Sequence, residues 1–277
     1  MAVINTNYLA LVSQNNLTKS QSALGSAIQR LSSGLRINSA KDDAAGLAIA
    51  ERMNTQIRGM NVAIRNANDG ISLAQTAEAS LGQIGEMAQR MRELAVQSAN
   101  ATNTAEDRAN LDAEYQQLAQ EITRTIASTT FNGLAILAGD AGTQNFQVGA
   151  GSDALINAIS ITTTDLSGAA EVTAVTSGSI ATAAGATTAM DDIETLIDLL
   201  TTERATYGAA QNRFESVISN LQSAVESQTA ARSRIMDADF AAETAAMTRA
   251  QVLQQAGTAM LAQANQMPNT VLQLLQR

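Results

Sequence analysis

Residues 43–100 read DAAGLAIAERMNTQIRGMNVAIRNANDGISLAQTAEASLGQIGEMAQRMRELAVQSAN, and their periodicity decides the fold. The stretch has no proline and few β-branched residues. Met53, Ile57, Met60, Ile64, Ala67, Ile71 and Ala74 step by fours and threes, and Ala77, Leu81, Ile84, Ala88, Met91 and Ala95 continue them. Such spacing lays one apolar seam along an α-helix, as in a coiled coil. The successive three-residue steps around Ala74 predict a local overwinding. An unbroken helix of roughly 56 residues is about 84 Å long at 1.5 Å per residue. A compact domain has no use for that length, so the helix reads as part of a rod.

Gly46, Gly59, Gly70, Gly82 and Gly85 lie inside this helix. Each costs about 1 kcal/mol against alanine. The reading favoured is that the glycines admit close neighbours, so that packing within and between chains supplies the stability. The alternative is five exposed positions with no such role.

Moving outward, the 277 residues are 45% hydrophobic but only 3% aromatic, with one proline and no tryptophan. That mix suits long helices side by side better than a thick globular core. No apolar run approaches the length of a membrane span. Cysteine and histidine are both absent. Disulfides, thiolate metal sites and histidine-based triads are therefore excluded, and no phosphate-loop motif occurs. The sequence argues against an enzyme and calls for no cofactor. The N-terminus lacks a basic region, the first cation being Lys19, so it does not read as a secretory signal.

Charge is segregated. Between Thr125 and Glu203 lie nine of the 26 acids and none of the 17 bases, so the ends are neutral and the middle carries the whole net charge of −9. Neutral, mixed-charge ends suit packing against copies of themselves, and an anionic middle suits water. Nucleic acid is excluded as a partner by the lack of a basic cluster.

Flanking the long helix, residues 3–34 predict a first helix with a seam at Ile4, Tyr8, Leu11, Leu17, Leu24, Ile28 and Leu31, stopped by Ser32-Ser33-Gly34. Asp42 or Asp43 is placed to cap the long helix. Thr104 with Asp107 predicts a capped helix ending before a turn at Asn132-Gly133. Thr143–Val148 and Ile156–Thr163 alternate like a hairpin, and Ala169–Thr188 reads as loop or weak strand. From Ala189 a strict heptad returns: Ile193, Leu200, Tyr207, Phe214, Leu221, Gln228 and Ile235, with Leu196, Ala210 and Val217 as partners. A last seam runs through Ala246, Ala250, Leu253, Gly257, Met260, Ala264, Met267, Val271 and Leu274, with Pro268 expected to kink or loosen its end. The fold class is mainly α: a long coiled-coil helical hairpin rod with a small β-hairpin region at the tip. Residues 1–42 and 236–277 read as a terminal coiled coil with linkers, 43–138 and 189–235 as the rod, and 139–188 as a short β or loop insert.

These residues resemble bacterial flagellin, the subunit of the flagellar filament. Leu31-Ser-Ser-Gly-Leu-Arg-Ile-Asn-Ser-Ala-Lys-Asp-Asp-Ala-Ala-Gly46 looks like that family's signature, as do Asn66–Ser72, Arg92–Gln97, Gln211–Arg213, Ser233–Asp239, Gln263–Gln266 and Val271–Leu275. The resemblance implies a structural protein that polymerises into an extracellular filament for swimming, exported through the flagellar type III channel without a cleaved signal, with 139–188 a short variable insert in place of a separate outer domain. The terminal seam Ile4, Tyr8, Leu11, Leu253, Met260, Met267, Val271 and Leu274 would build the inner tube. Met53, Ile57, Ile64, Ile71, Leu81, Ile84, Leu200, Phe214 and Leu221 would pack the rod. Implied partners are further copies of the chain, an export chaperone, the filament cap, the hook–filament junction proteins and a vertebrate toll-like receptor. The receptor would be met through Gln89, Arg90, Leu94, Gln97 and Glu114. Leu272, Leu274 and Leu275 similarly resemble the segment sensed by cytosolic inflammasome receptors. A self-sufficient signalling bundle and a hook–filament junction protein are the competing readings. The first would keep its termini helical as a monomer, and the second fits the paired signatures less well.

Overall fold

A computed structural model describes residues 6–275 of the chain, with side chains described through Met267. The elements are α1 (Tyr8–Ser33), α2 (Ala44–Ala99), α3 (Ala105–Ser128), β1 (Thr130–Phe131), β2 (Leu134–Ala135), β3 (Thr143–Gln147), α4 (Ala154–Asn157), β4 (Ala158–Thr162), α5 (Ala170–Ser177), α6 (Ala183–Met236) and α7 (Phe240–Leu275). They group into two compact units, residues 1–57 with 226–277 and residues 58–225.

Helix boundaries follow local chemistry. Gly34 ends α1 at φ 71°, a left-handed cap that costs glycine little. Asp43 Oδ1 accepts from Gly46 N at 2.8 Å and caps α2. Thr104 and Asp107 form a reciprocal capping box at the start of α3. Hydrogen bonds from Thr104 hold the Asp107 carboxyl below its usual range. Asn132 (φ 51°) and Gly133 (φ 82°) make the two-residue turn between β1 and β2, the geometry that Asn-Gly favours.

In the unit of residues 58–225, α2 and α6 run antiparallel. Gln211 Nε2 donates to Glu78 at 3.0 Å, and Arg92 meets Glu194 at 3.4 Å, so partners descend one helix as they climb the other. The buried seam of α2 in this unit runs through Met60, Ala63, Ala67, Gly70, Ala74, Ala77, Leu81, Ile84, Ala88, Met91, Ala95 and Ser98 in three–four alternation, with Leu73 and Leu94 buried beside it. This corrects the expected overwinding at Ala74. Ile64 and Ile71 flank the seam half-buried, and Ala63 and Gly70 occupy it. The reason is the Phe214 ring, which is fully buried and fills the place of a side chain at Gly70. Further along, Gly59 receives Ala150, whereas nothing approaches Gly82 or Gly85, so close packing explains only part of the glycine content. On α6 the predicted heptad holds. Ile193, Leu196, Leu200, Tyr207, Ala210 and Phe214 are buried and Leu221 is half-buried.

The stretch from 139 to 188 is no detached module. Val148, Ile159, Ile161, Leu166, Val172, Val175 and Ile180 join the same core as α2, α3 and α6. β3 and β4 pair antiparallel, Thr143 opposite Thr162 through Gln147 opposite Ala158. Where loop or weak strand was expected, α5 forms and α6 starts six residues early, at Ala183. Val172 and Val175 fall one turn apart and bury on α3, and threonine and serine hydroxyls there bond back to carbonyls four residues earlier. Tyr115 Oη donates to Val175 O at 3.0 Å, and Asp112 accepts from Ile180 N at 2.6 Å.

In the other unit, α1 and α7 pair antiparallel. Asn7 Nδ2 donates to Ala264 O at 2.7 Å, and Arg30 reaches Glu243 at 3.8 Å. The linkers pair too, with Arg36 N donating to Met236 O at 2.6 Å and Ala238 N to Gly34 O at 2.9 Å. Ile37, Ala50 and Met236 form a small core beside them. α7 continues as helix through Pro268, where a kink or loosening was expected. No described helix is long and apolar enough to cross a membrane.

Candidate functional site

The α1–α7 pair has its large and small residues on unexpected sides. The residues of α1 at least half-buried are Ala10, Ser13, Leu17, Ser20, Leu24, Ala27 and Leu31, in three–four alternation, with Arg30 beside them. Those of α7 are Glu243, Met247, Ala250, Gln254, Gly257, Leu261 and Ala264. Leu17 lies against Gly257, its Cδ1 3.3 Å from where a Cβ would stand, so the helices close tightly over small residues. A second set of large apolar side chains points away from the seam. Tyr8 is 70% exposed, Leu11 54%, Leu253 52% and Met260 62%. Leu9, Val12, Ile28, Phe240, Val252 and Met267 are also exposed.

Of the predicted terminal seam, Tyr8, Leu11, Leu253, Met260 and Met267 therefore lie on the outward faces, and Ile28 with them. Ile4 falls outside the described residues, as do the side chains of Val271 and Leu274. Leu17, Leu24, Leu31, Ala250, Gly257 and Ala264 do face the partner helix. Sequence reading followed bulk and so mixed the two faces. The signal it passed over was the strict spacing of alanine, serine and glycine. An open apolar depression on α7 is lined by Phe240, Ala241, Thr244, Ala245, Thr248, Arg249, Val252 and Leu253.

A second cluster lies on the outer side of α2 and α3. Arg90 Nη2 and Nε donate to Glu114 Oε1 at 2.8 and 3.1 Å, and its Nη1 donates to Glu93 at 2.9 Å. Glu114 first and Glu93 second push the guanidinium pKa up. Gln89 and Gln97 are exposed beside it. Leu94 is 1% exposed and belongs to the core, so the five predicted receptor residues do not share one surface. Of the rod seam, Leu81, Ile84, Leu200 and Phe214 are core, while Met53, Ile57, Ile64, Ile71 and Leu221 are half-buried.

Neither cluster is built for bond-making chemistry. Among the described residues no group of three or more metal-ligating side chains converges. What the terminal pair offers is apolar area.

Comparison with known proteins identifies the family. Residues 4–141 match the model of the bacterial flagellin N-terminal helical region, and residues 190–275 that of the C-terminal helical region. Residues 142–189 lie between the two matches. Flagellin of Halalkalibacterium halodurans is 47% identical over 273 residues, covering 99% of both chains. Flagellin of Xenorhabdus nematophila is 44% identical over 310 aligned residues, again covering 99% of both. The crystal structure of Bacillus cereus flagellin is 34% identical, with a TM-score of 0.50 over 57% of this chain and 88% of that one. On both family matches and on relatives aligned from end to end, the chain belongs to the bacterial flagellins, the structural and non-enzymatic subunits of the extracellular flagellar filament.

Proposed function

We propose that copies of this chain polymerise through the outward faces of α1 and α7. One observation carries the reading: a second set of large apolar side chains, Tyr8, Leu11, Phe240, Leu253 and Met260, faces water outside the seam that Leu17, Leu24, Leu31, Met247 and Leu261 share with small residues. Burying that area against neighbouring copies stabilises by about 25 cal/mol per Å² and offsets the entropy of ordering the termini. The same exposed area needs cover before assembly. That suits export through the flagellar type III channel without a cleaved signal, with an export chaperone on the C-terminal seam. The filament cap and the hook–filament junction proteins would meet the same terminal helices. In a seeded polymerisation assay read by sedimentation, Leu253→Ser should stay in the supernatant while retaining the helicity of the parent chain. Growth of this variant onto filament seeds at the parent rate would refute the assignment.

A second reading concerns the α2–α3 surface. The exposed Arg90–Glu114 bridge, flanked by Gln89 and Gln97, offers fixed polar groups for recognition by a vertebrate toll-like receptor. Leu94 would act from beneath, holding the helix surface in shape. Glu114→Ala should weaken receptor signalling by monomeric protein and leave seeded polymerisation intact. Unchanged signalling would remove Glu114 from the receptor surface.

A further inference from the structure

Three side chains at heptad spacing, Leu253, Met260 and Met267, are exposed on α7 at 52%, 62% and 50%. Leu253 is chemically inert. Met260 is the most exposed methionine described, and its thioether can be oxidised without leaving the apolar stripe. The other methionines differ in access. Met91 is 0% exposed, Met60 and Met236 are each 7%, and Met53, Met87, Met190 and Met247 are half-buried. Oxidants therefore meet Met260 before they meet the core.

We propose that Met260 is a reversible oxidation site that switches the assembly face off, its reactant being a two-electron oxidant of the peroxide class. The proposal rests on the assembly reading given above. In the step, a lone pair of Met260 Sδ attacks one peroxide oxygen. The S–O bond forms as the O–O bond breaks, and the departing hydroxide takes up a proton to become water. Sulfur loses two electrons and peroxide gains them. The product sulfoxide is a polar acceptor in the middle of an apolar stripe. An apolar contact between copies would strip its water and supply no donor, which is unfavourable. Because Met260 points away from α1, oxidation leaves the α1–α7 seam and the monomer fold unaltered. Thiol-dependent sulfoxide reductases provide the way back.

The test treats full-length monomer with graded hydrogen peroxide, maps sulfoxide by peptide mass spectrometry, and measures growth onto filament seeds. Met260 should gain oxygen before Met60 and Met91. Helicity should be unchanged, and growth should fall about tenfold, the loss expected for one unpaired polar group. Methionine sulfoxide reductases should restore growth. In a Met267→Leu background, which removes the second exposed thioether of the stripe, Met260→Leu should grow normally and keep growing after peroxide, and Met260→Gln should grow about tenfold slower without any oxidant. Normal growth by fully Met260-oxidised chain, or by Met260→Gln, overturns the proposal. So does a Met260→Leu chain in the Met267→Leu background that is as peroxide-sensitive as Met267→Leu alone. If untreated parent chain does not grow onto seeds, the assembly reading itself falls, an outcome distinct from growth that peroxide leaves untouched.

Discussion

Gly70→Ala is the substitution whose outcome separates helix propensity from packing most cleanly. A Cβ built at Gly70 stands 2.6 Å from Phe214 Cζ, 2.9 Å from Cε2 and 3.1 Å from Cε1. The ring has little freedom to retreat. It is fully buried, and the Phe146 ring meets it edge-on at 5.5 Å and 85°. Alanine should add about 1 kcal/mol through helix propensity, while overpacking a rigid site costs about 1–3 kcal/mol. The expected net effect is destabilisation of up to about 2 kcal/mol. Gly82→Ala is the matched control, because its new methyl meets nothing within 4 Å. It should stabilise by about 1 kcal/mol. Urea unfolding of unassembled chain, followed by far-ultraviolet circular dichroism, reads both. Combining Gly70→Ala with Phe214→Leu should return part of the loss, with a coupling of about 0.5–3 kcal/mol. Equal stabilisation by Gly70→Ala and Gly82→Ala would refute the claim that Phe214 occupies this seam position.

Thr104→Ala removes the capping box of α3 and should cost about 1 kcal/mol by the same unfolding assay. Tyr207 Oη is buried without a hydrogen-bond partner, so Tyr207→Phe should be neutral or stabilising by up to about 1 kcal/mol. Tyr115→Phe strips Val175 O of its donor and should destabilise by about 1 kcal/mol. Burial, with lesser contributions from Asp192 and Asp112, raises the Tyr115 hydroxyl from the ordinary 10 to about 12, and burial raises Tyr207 further in the same direction. The neutral phenol is the form that folding favours. That contribution is complete below pH 10 and disappears as pH climbs through about 12. In a Tyr8→Phe background, tyrosinate absorbance should therefore rise only together with alkaline unfolding. Absorbance that rises before helicity is lost would contradict the burial of both rings.

Periodicity made the helices legible, and bulk misled where small residues do the packing. The heptad of α6 was readable because its seam positions are large: Ile193, Leu200, Tyr207 and Phe214 can only be buried. On α2 the eye follows Ile64 and Ile71, yet the seam passes through Ala63 and Gly70 because the facing helix supplies Phe214. The volume of one helix's seam residue is set by its partner, and no single-helix pattern holds that information. The same limit hid α5. Its eight residues carry threonine and valine, poor helix formers in isolation, and the core contact of Val172 and Val175 decides the matter. Capping was the opposite case. Thr104 with Asp107, and Ser33 before Gly34, act within a few residues of their own helix ends and are legible from sequence alone.

The terminal pair shows why an assembly surface is hard to read from one chain. In a self-sufficient coiled coil the largest side chains occupy the seam. Here Leu17, Leu24 and Leu31 share the α1 seam with alanine and serine, while Tyr8, Leu11, Phe240, Leu253 and Met260 lie outside it. A seam in which alanine, serine and glycine alternate with leucine and methionine buries less apolar area than one of large side chains throughout. The pair's outward leucines, phenylalanine and methionine become stabilising only when further helices arrive. On the proposed assembly, stability is moved from the monomer to the polymer. A subunit that must stay separate until it reaches the growing end gains from that transfer. On the proposed assembly, one outward side chain would govern growth without affecting the fold, because the seam residues and the exposed apolar residues lie on different faces of the same two helices.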